Sequence, residues 1–331
     1  MDSVREQLLI FISAPFYVII ILLEIIISNV QHRPAYTFRD TLANIYLLLA
    51  NSGLDLLFRT IYIGILVFFY NRQVFHFANP FVYWLVLIVA EDFLYYWLHR
   101  LDHEVRLFWA VHVTHHSSEN MNFAVGFRSS VFQPLYRFIF FIPLSLAGFS
   151  PVDIVFIYSA TQIWGIFVHT ELITKMGWLE YMLVTPSHHR VHHASNPKYL
   201  DKNMGMFLII WDKIFGTFQP ELCANYYQPI KYGLTTPLEK PNALSIIFHE
   251  WNQIKKDCLR KDLNAVQKIY YVFGPPGWSH DGTRMTSKAL RKKECSEDLP
   301  LLEPGHHRQP HFDQQTAFSA RCMNPSEGPA V

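Results

Sequence analysis

Residues 95 to 119 read YYWLHRLDHEVRLFWAVHVTHHSSE and place five histidines directly behind a long apolar run. The first two are four residues apart, and the other three follow at the spacing i, i+3 and i+4. On a helix, residues three and four apart lie on one face and can share a ligand. This stretch therefore predicts helices that emerge from an apolar layer and present imidazoles at its edge.

The overall composition is that of a membrane protein with a polar C-terminal segment. Of 331 residues, 50% are hydrophobic and only 17% are charged, whereas soluble proteins average about 25% charged residues. The apolar residues are concentrated in the first 220 positions, and the last fifty are polar. The net charge of +1 gives no indication of a nucleic-acid partner.

Five hydrophobic segments predict an all-α fold, a polytopic membrane helical bundle. They are residues 8–28, 41–70, 81–98, 131–149 and 152–168. A helix of roughly 20 apolar residues crosses a hydrocarbon core of about 30 Å. The first segment follows Arg5, as a signal peptide would, but its length and the lack of a small-residue cleavage site favour a membrane anchor.

Two of these segments carry further signals. Polar or small residues interrupt the second segment at Asn51, Gly53, Asp55 and Arg59, so its better membrane-spanning part is residues 54–70. The fourth and fifth segments are joined only by the short sequence GFSP, which predicts a tight helical hairpin.

Counting the crossings places all histidine-rich stretches on one face of the membrane. The first stretch follows the third segment, and two further crossings return the chain to that side before His169 and the sequence PSHHRVHH, residues 186–193. Most lysines and arginines of the connecting loops lie on the same side, which the positive-inside rule assigns to the cytosol. We therefore expect a cytosolic active site, in the endoplasmic reticulum membrane or, in a bacterium, the inner membrane.

The number and spacing of the histidines predict a centre for two metal ions. A single histidine in an apolar helix is usually an ordinary core residue, but closely packed neutral imidazoles need many polar partners. Metal ions supply such partners, and imidazole suits zinc, copper, iron and nickel. A structural zinc site closes with four ligands, so two redox metals that activate dioxygen fit this number better. The predicted ligands are His99, His103, His112, His115, His116, His169, His188, His189, His192 and His193.

Other polar residues receive different interpretations. Asp92 lies seven residues before His99 on the same helical stripe, so we expect its carboxylate to orient a ligand histidine. Residues 204–218 are too short and too polar to span, and they predict an amphipathic segment at the interface. The tail histidines His306, His307 and His311 lie in a stretch whose composition predicts disorder.

The chain divides into four predicted regions. They are N-terminal membrane helices at 1–79, a catalytic domain at 80–220, a cytosolic extension at 221–280 and a disordered polar tail at 281–331.

The three boxes HRLDH, HVTHH and HRVHH resemble those of the fatty acid hydroxylase/sterol desaturase superfamily. The resemblance covers roughly residues 80–280 in order and includes VHTELI, LDKN, GTF and GPPGW. Within the superfamily, the chain is most similar to enzymes that act on alkylglycerol ether lipids. The region at 80–220 is thereby identified as a fatty acid hydroxylase-like catalytic domain.

The resemblance implies roles for individual residues. The eight histidines of the boxes would bind two iron ions, and His169 is similar to a further required histidine. Glu104 resembles a glutamate implicated in the use of tetrahydrobiopterin, with a solvated interfacial carboxylate as the alternative. Asp201 and Asn203 match a DKN motif, for which we expect a supporting role around the ligands.

The implied activity is a membrane-bound di-iron monooxygenase that hydroxylates a lipid C–H bond and cleaves the O-alkyl bond of alkylglycerols. The sequence contains no haem-attachment motif, GxGxxG motif or iron–sulfur cysteine pattern, so an external electron donor must supply two electrons. The resemblance suggests tetrahydrobiopterin. The lipid substrate would enter from the bilayer between the fourth and fifth segments.

Three alternatives remain at this point. The first is a sterol or fatty acyl desaturase or hydroxylase that uses cytochrome b5 or another electron donor. The second is a metal transporter or sensor, which would place ligands at mid-membrane depth along a pathway. The third is a lipid-binding scaffold that retains a structural metal.

Overall fold

The computed structural model describes residues 2–32, 35–239 and 242–297. Within these residues the secondary structure is helical and contains no β-strand, which confirms the predicted all-α fold class. The α-helices are α1 (Asp2–Val30), α2 (Phe38–Tyr70), α3 (Pro80–Glu104), α4 (Arg106–His116), α5 (Arg137–Leu146), α6 (Pro151–Phe167), α7 (Pro186–His192), α8 (Ile210–Phe215), α9 (Ala243–Cys258), α10 (Ala265–Phe273) and α11 (Ser287–Glu297).

Three of the helices are long and apolar enough to cross a membrane. They are α1 over Phe11–Val30, α2 and α3, with mean hydropathies of 2.4, 1.6 and 1.5. Most apolar side chains of α1 and α2 face outward, as expected for helices surrounded by lipid. These helices indicate an integral membrane protein.

Local sequence explains where α2 and α3 begin. The side chain of Thr37 accepts a hydrogen bond from the Asp40 amide at 3.3 Å. The Asn79 side chain accepts one from the Phe81 amide at 2.8 Å, and Pro80 occupies the first helical position. Such residues satisfy backbone N–H groups that the first turn leaves without an intrahelical partner.

Helix α2 differs from the sequence prediction because it continues through every expected interruption. Asn51, Gly53, Asp55 and Arg59 all lie inside it. The Asp55 and Arg59 side chains form an i, i+4 ion pair at 2.8 Å. Their charges are therefore accommodated within an unbroken helix.

The fourth hydrophobic segment is helical over a shorter stretch than we predicted. Helix α5 has only 10 residues, which is too short to cross a bilayer. Helix α6 has 17 residues and follows α5 after the predicted tight turn. Gly148 in that turn has a φ of +102°, and a Cβ there would lie 2.3 Å from the carbonyl oxygen of Phe75. A glycine is thus required where the turn contacts the loop between α2 and α3.

The α5–α6 hairpin runs along α3 and returns to the same end. Near the start of α5, the Tyr136 hydroxyl donates to Asp102 at 2.6 Å, close to the end of α3. At the start of α6, Asp153 accepts from the Tyr83 hydroxyl at 2.7 Å, close to the beginning of α3. The end of α6 therefore returns to the end of α3, where the histidines lie.

The region after residue 220 packs against the histidine-bearing helix α4. The buried Arg106 guanidinium donates to Glu250 at 2.6 Å and to Asp257 at 2.8 Å, both on α9. It also donates to the carbonyl oxygen of Tyr271 on α10 at 3.0 Å. The predicted cytosolic extension thus supports α4 directly.

Two other predicted segments contain helices that the sequence did not indicate clearly. Within residues 204–218, only Ile210–Phe215 are α-helical. Helix α11 lies in the segment predicted as a disordered tail, and its Arg291 donates to the carbonyl oxygen of Leu200. Residues 298–331, including His306, His307 and His311, lie outside the described residues.

Candidate metal centre

Nine histidines from four parts of the chain form two adjacent groups. Group one contains His99, His103, His112, His116 and His192. Group two contains His115, His169, His189 and His193. Within each group, one ring nitrogen from each residue lies within 4.8 Å of those of all other members. These side chains are buried, apart from the partly buried His115.

Helix geometry explains how one short motif serves two groups. In α4, His112 and His116 belong to group one, whereas His115 belongs to group two. A step of one residue on a helix turns the side chain by about 100°, so the residues at i+3 and i+4 diverge. The motif in α7 divides in the same way but with the groups exchanged: its first histidine, His189, belongs to group two, and His192 at i+3 belongs to group one.

The two groups are in direct contact. The rings of His116 in group one and His193 in group two are stacked, with centroids 4.4 Å apart. Helix α3 contributes His99 and His103 at i, i+4, and His169 follows the last turn of α6. The three boxes and His169 therefore meet at a common site, as their spacing led us to expect.

Backbone carbonyl groups fix the protonation of four of these rings. The Nδ1 atom of His99 lies 2.7 Å from the carbonyl oxygen of Met204, and that of His192 lies 3.0 Å from the Lys202 oxygen. The remaining Nδ1 contacts are from His115 to the Arg128 oxygen at 2.9 Å and from His169 to the Gly165 oxygen at 2.7 Å. A carbonyl oxygen only accepts, so each Nδ1 carries the proton and donates it.

Burial disfavours the charged form of His115, His169 and His192. It lowers the pKa of His115 to about 4 and holds the pKa of both His169 and His192 well below the ordinary value. A neutral ring protonated on Nδ1 presents a lone pair on Nε2. These rings therefore direct acceptor atoms, and no proton, into the two groups.

Without a cation, the Nε2 acceptor atoms that face one another in these groups lack a hydrogen-bond donor. The Nε2 atoms of His169 and His115 lie 3.4 Å apart, although neither carries a proton to share. Among the described residues, the buried Nε2 atoms of His103 and His192 have no hydrogen-bond partner. Buried acceptors without partners are unfavourable, and neutral imidazole nitrogens are common metal ligands. Both groups therefore fit metal ions.

Asp92, whose carboxylate we predicted to orient a ligand histidine, has other hydrogen-bond partners in the structure. Asp92 accepts from the backbone amides of Phe207 and Leu208 at 3.0 and 3.1 Å and from the indole of Trp211 at 2.9 Å. It thereby fixes the segment that follows Met204 and does not contact a histidine. Asp92 and His99 are seven residues apart on one face of α3, but the part of this face at Asp92 lies against residues 207–211.

Two other carboxylates lie beside the histidines. Asp102 Oδ2 is 3.8 Å from Nδ1 of His112, and Asp201 Oδ1 is 3.6 Å from Nδ1 of His103. Asp102 lies inside the first box, three residues after His99, and this helical spacing indicates a position beside the ligand histidines. Asp201 belongs to the DKN motif, and its position agrees with the supporting role expected there.

Asn203 supports the loop that contacts both α3 and α7. Its side chain donates to the carbonyl oxygens of His188 and Gln219 at 3.0 and 2.8 Å and accepts from the Gln219 amide at 2.9 Å. Its φ is +54°, a conformation that asparagine adopts more readily than most residues. The carbonyl oxygens of the neighbouring residues 202 and 204 accept hydrogen bonds from His192 and His99.

Two candidate residues lie outside both groups in the described structure. His188 lies at the start of α7, where its Nδ1 accepts a hydrogen bond from the Thr185 amide at 3.3 Å. Glu104 has a side chain that is 45% exposed and pairs with Arg100 at 2.8 Å. His188 therefore supports the helix start, and Glu104 is accessible to a second molecule.

A cavity of about 510 Å³ adjoins the two groups. Its wall includes residues from α2, α5 and α6 as well as His99, His112 and His115. Ser52 and Leu56, which also line it, are exposed on the lipid-facing side of α2. The cavity thus connects the histidines with the apolar surface of the protein.

Fold and site together define a helical membrane protein with two buried histidine groups whose donor atoms fit metal ions. Residues 84–217 match the fatty acid hydroxylase family model. This stretch of the chain is therefore similar to a fatty acid hydroxylase domain, and it includes all nine grouped histidines. The match confirms the resemblance inferred from the three histidine boxes.

Individual relatives narrow the comparison. The chain is 34% identical over 278 residues to the alkylglycerol monooxygenase of Homo sapiens, covering 82% of this chain and 60% of that protein. It is 32% identical over 294 residues to the alkylglycerol monooxygenase of Danio rerio, covering 87% of this chain and 64% of the relative. The Delta(7)-sterol 5(6)-desaturase ERG3B of Gibberella zeae is 27% identical over 149 residues, covering 42% and 43%. No solved structure matches the chain.

Proposed function

We propose that this protein is a membrane-bound di-iron monooxygenase that hydroxylates a lipid C–H bond. We further propose that its substrate is an alkylglycerol ether lipid. The observation that carries the proposal is the pair of histidine groups, in which buried Nε2 acceptors face one another beside a cavity. The similarity to alkylglycerol monooxygenases supports the choice of substrate.

The donor sets favour two redox-active ions over a structural metal. Five imidazoles would hold one ion and four the other, through His99, His103, His112, His116 and His192 and through His115, His169, His189 and His193. A structural zinc site closes with four ligands, a number that group one exceeds, and imidazole also suits iron. With iron bound, the centre would supply dioxygen activation for the insertion of one oxygen atom into a C–H bond.

The chain itself contributes position and a protected environment. Backbone carbonyls hold the imidazoles in one tautomer, so the ligand atoms are preorganised. The cavity receives the lipid from the apolar side and brings one C–H bond close to the histidines. Hydroxylation of the carbon next to an ether oxygen gives a hemiacetal, which breaks down to an aldehyde and glycerol.

The electrons come from an external donor, and we propose tetrahydrobiopterin for this role. The active site would face the cytosol, in the endoplasmic reticulum or the bacterial inner membrane. The histidines lie together at the last turns of α3 and do not line a path across the membrane, which supports an enzyme over a transporter.

A sterol desaturase activity is the second candidate, because the chain is similar to Delta(7)-sterol 5(6)-desaturases. The test uses purified, iron-loaded protein in lipid nanodiscs with an alkylglycerol and tetrahydrobiopterin. We expect release of a fatty aldehyde and glycerol. One oxygen atom from labelled dioxygen should become the aldehyde oxygen, and it is measured before this oxygen exchanges with water through the aldehyde hydrate. Turnover of a sterol with cytochrome b5, and none of the alkylglycerol, would replace our proposal with the desaturase.

We predict that Glu104→Gln raises the apparent KM for tetrahydrobiopterin by about tenfold while bound iron stays unchanged. A carboxylate can accept charge-assisted hydrogen bonds from the N–H groups of a reduced pterin, and losing one such bond weakens binding by about this factor. Glu104 is exposed beside the site and outside both histidine groups. Steady-state kinetics and iron analysis check the prediction.

The matched control is Asp262→Asn, which also removes an exposed carboxylate from a short-range pair with an arginine, here Arg260. It should leave the KM for tetrahydrobiopterin unchanged. Loss of iron in Glu104→Gln would instead show that Glu104 supports the neighbouring His103.

A further inference from the structure

The cavity beside the histidines is lined by charged residues, two of which lie inside the membrane-spanning helix α2. Asp55 on α2 is 7% exposed and pairs with Arg59 at 2.8 Å. Arg137 on α5 donates to the other oxygen of the same carboxylate and to the Tyr158 hydroxyl at 3.0 Å. All four side chains line the cavity. Charged groups within membrane spans are unfavourable and commonly mark a functional site.

This polar cluster, defined as Asp55, Arg59, Arg137 and Tyr158, lies close to the candidate metal ligands. Asn51 on α2 donates to the Ser130 carbonyl oxygen at 2.8 Å, and the Ser130 hydroxyl lies 3.3 Å from Nδ1 of His112. Asp55 follows Asn51 by one helical turn, which is about 6 Å along the axis. A ligand in the cavity can therefore contact the cluster and approach the histidines together.

A separate residue in the same wall also indicates a polar ligand. Gln162 on α6 lines the cavity one turn after Tyr158. Its buried Nε2 lies near the Tyr95 hydroxyl but makes no hydrogen bond of normal geometry with the residues that the structure describes. A buried donor left without an acceptor is unfavourable. An oxygen atom of a bound molecule would satisfy it.

We propose that the polar cluster and Gln162 bind the headgroup of the lipid substrate through its hydroxyl and ether oxygens. Asp55 accepts from a hydroxyl group, while Arg137 and Gln162 donate to oxygen atoms. Apolar residues of the same wall, including Leu66, Phe141 and Ile154, contact the alkyl chain. The proposal rests on the lipid monooxygenase function and adds a reason for its site of attack. A headgroup held beside the histidines presents the C–H bond nearest the polar end of the lipid.

The proposal predicts a selective loss of lipid binding. In iron-loaded protein in nanodiscs, kept without dioxygen or a reductant so that no turnover occurs, displacement of a fluorescent alkylglycerol measures the Kd of an unlabelled alkylglycerol. Asp55→Asn and Gln162→Leu should each raise this Kd about tenfold, the effect of losing one good hydrogen bond. The Kd of an alkane of the same chain length, which has no oxygen atom, should stay unchanged. Tighter binding of a 1-O-alkylglycerol 3-phosphate than of the alkylglycerol would overturn the assignment to hydroxyl and ether oxygens, because the site would then recognise a phosphate.

The control is Arg72→Gln, which changes an exposed arginine at the end of α2 that donates to the Phe68 carbonyl. Bound iron after reconstitution shows whether each variant keeps the histidine site. An unchanged alkylglycerol Kd in both Asp55→Asn and Gln162→Leu overturns the proposal, because the cluster is then only a structural ion pair. If the native protein binds the alkylglycerol selectively but oxidises no lipid, the proposed enzyme activity is contradicted. The proposed headgroup-binding site would still stand.

Discussion

His192→Ala and His193→Ala are each expected to lower lipid monooxygenase activity by at least about 100-fold. Replacing partners that merely contact a ligand histidine weakens metal binding or activity by about 10- to 100-fold, so removing a ligand has at least that effect. The two residues are adjacent in the chain, but His192 belongs to group one and His193 to group two. Each variant should therefore weaken a different metal position, and both should be nearly inactive.

The measurement is bound iron per chain together with aldehyde production. We expect each single variant to keep about one of two irons and the double variant to keep neither. His76→Ala is the control, because His76 is exposed in the loop between α2 and α3. Full iron content in either single variant would show that the corresponding residue is not a ligand.

The same measurement tests His188, which the sequence placed among the ligands. His188 shares a capping arrangement with Thr185 at the start of α7 and lies outside both groups. His188→Ala should retain about two irons per chain and lose a modest amount of stability, since a lost cap destabilises a helix by about 1 kcal/mol. An iron content as low as that of His192→Ala would restore His188 to the ligand set.

The sequence predicted the histidine site well because the information is local. Helical spacing alone indicates that His99 and His103 share a face, and the motif at 112–116 carries the same signal. The division of each motif between two groups depends on how α4 and α7 face each other. That orientation depends on tertiary packing, and the spacing of residues within one helix does not determine it.

The parts that were missed depend on contacts between distant residues. The hydrophobicity of residues 131–149 resembles that of a span, yet residues 133–135 form a 3₁₀ turn and the α-helix begins only at Arg137. Asp55 was predicted as an interruption of a helix, whereas Arg137, 82 residues away in the sequence, binds its carboxylate. The carbonyls that fix His99 and His192 come from a loop in which Asp201 and Asn203 have positive φ. Hydrophobic periodicity describes none of these features.

Arg128→Met is expected to destabilise the fold by about 3–5 kcal/mol, the usual effect of removing one partner from a buried ion pair. Arg128 is 1% exposed, and its guanidinium donates to Asp40 at 3.0 Å and to Asn44 at 2.7 Å on α2. It also donates to the carbonyl oxygen of Thr114 on α4 at 3.1 Å. The variant therefore leaves acceptors on two helices without their donor.

The effect should extend to the candidate metal centre. The carbonyl oxygen of Arg128 accepts the proton of His115 Nδ1 at 2.9 Å, so movement of this segment releases one ring of group two. We expect Arg128→Met to lower the unfolding midpoint in detergent and to weaken one of the two iron sites. Arg72→Met, at an exposed position, should change neither quantity.

A double variant separates the loss of charge pairing from the loss of packing. If the unpaired carboxylate of Asp40 causes most of the destabilisation, Asp40→Asn should recover part of it in the Arg128→Met background, although Asp40→Asn alone destabilises the native protein. Iron content should then recover in parallel, because the segment that holds His115 regains its position. A double variant as unstable as the sum of the two single variants would show that the guanidinium acts through packing and its other hydrogen bonds, and not through the charge on Asp40.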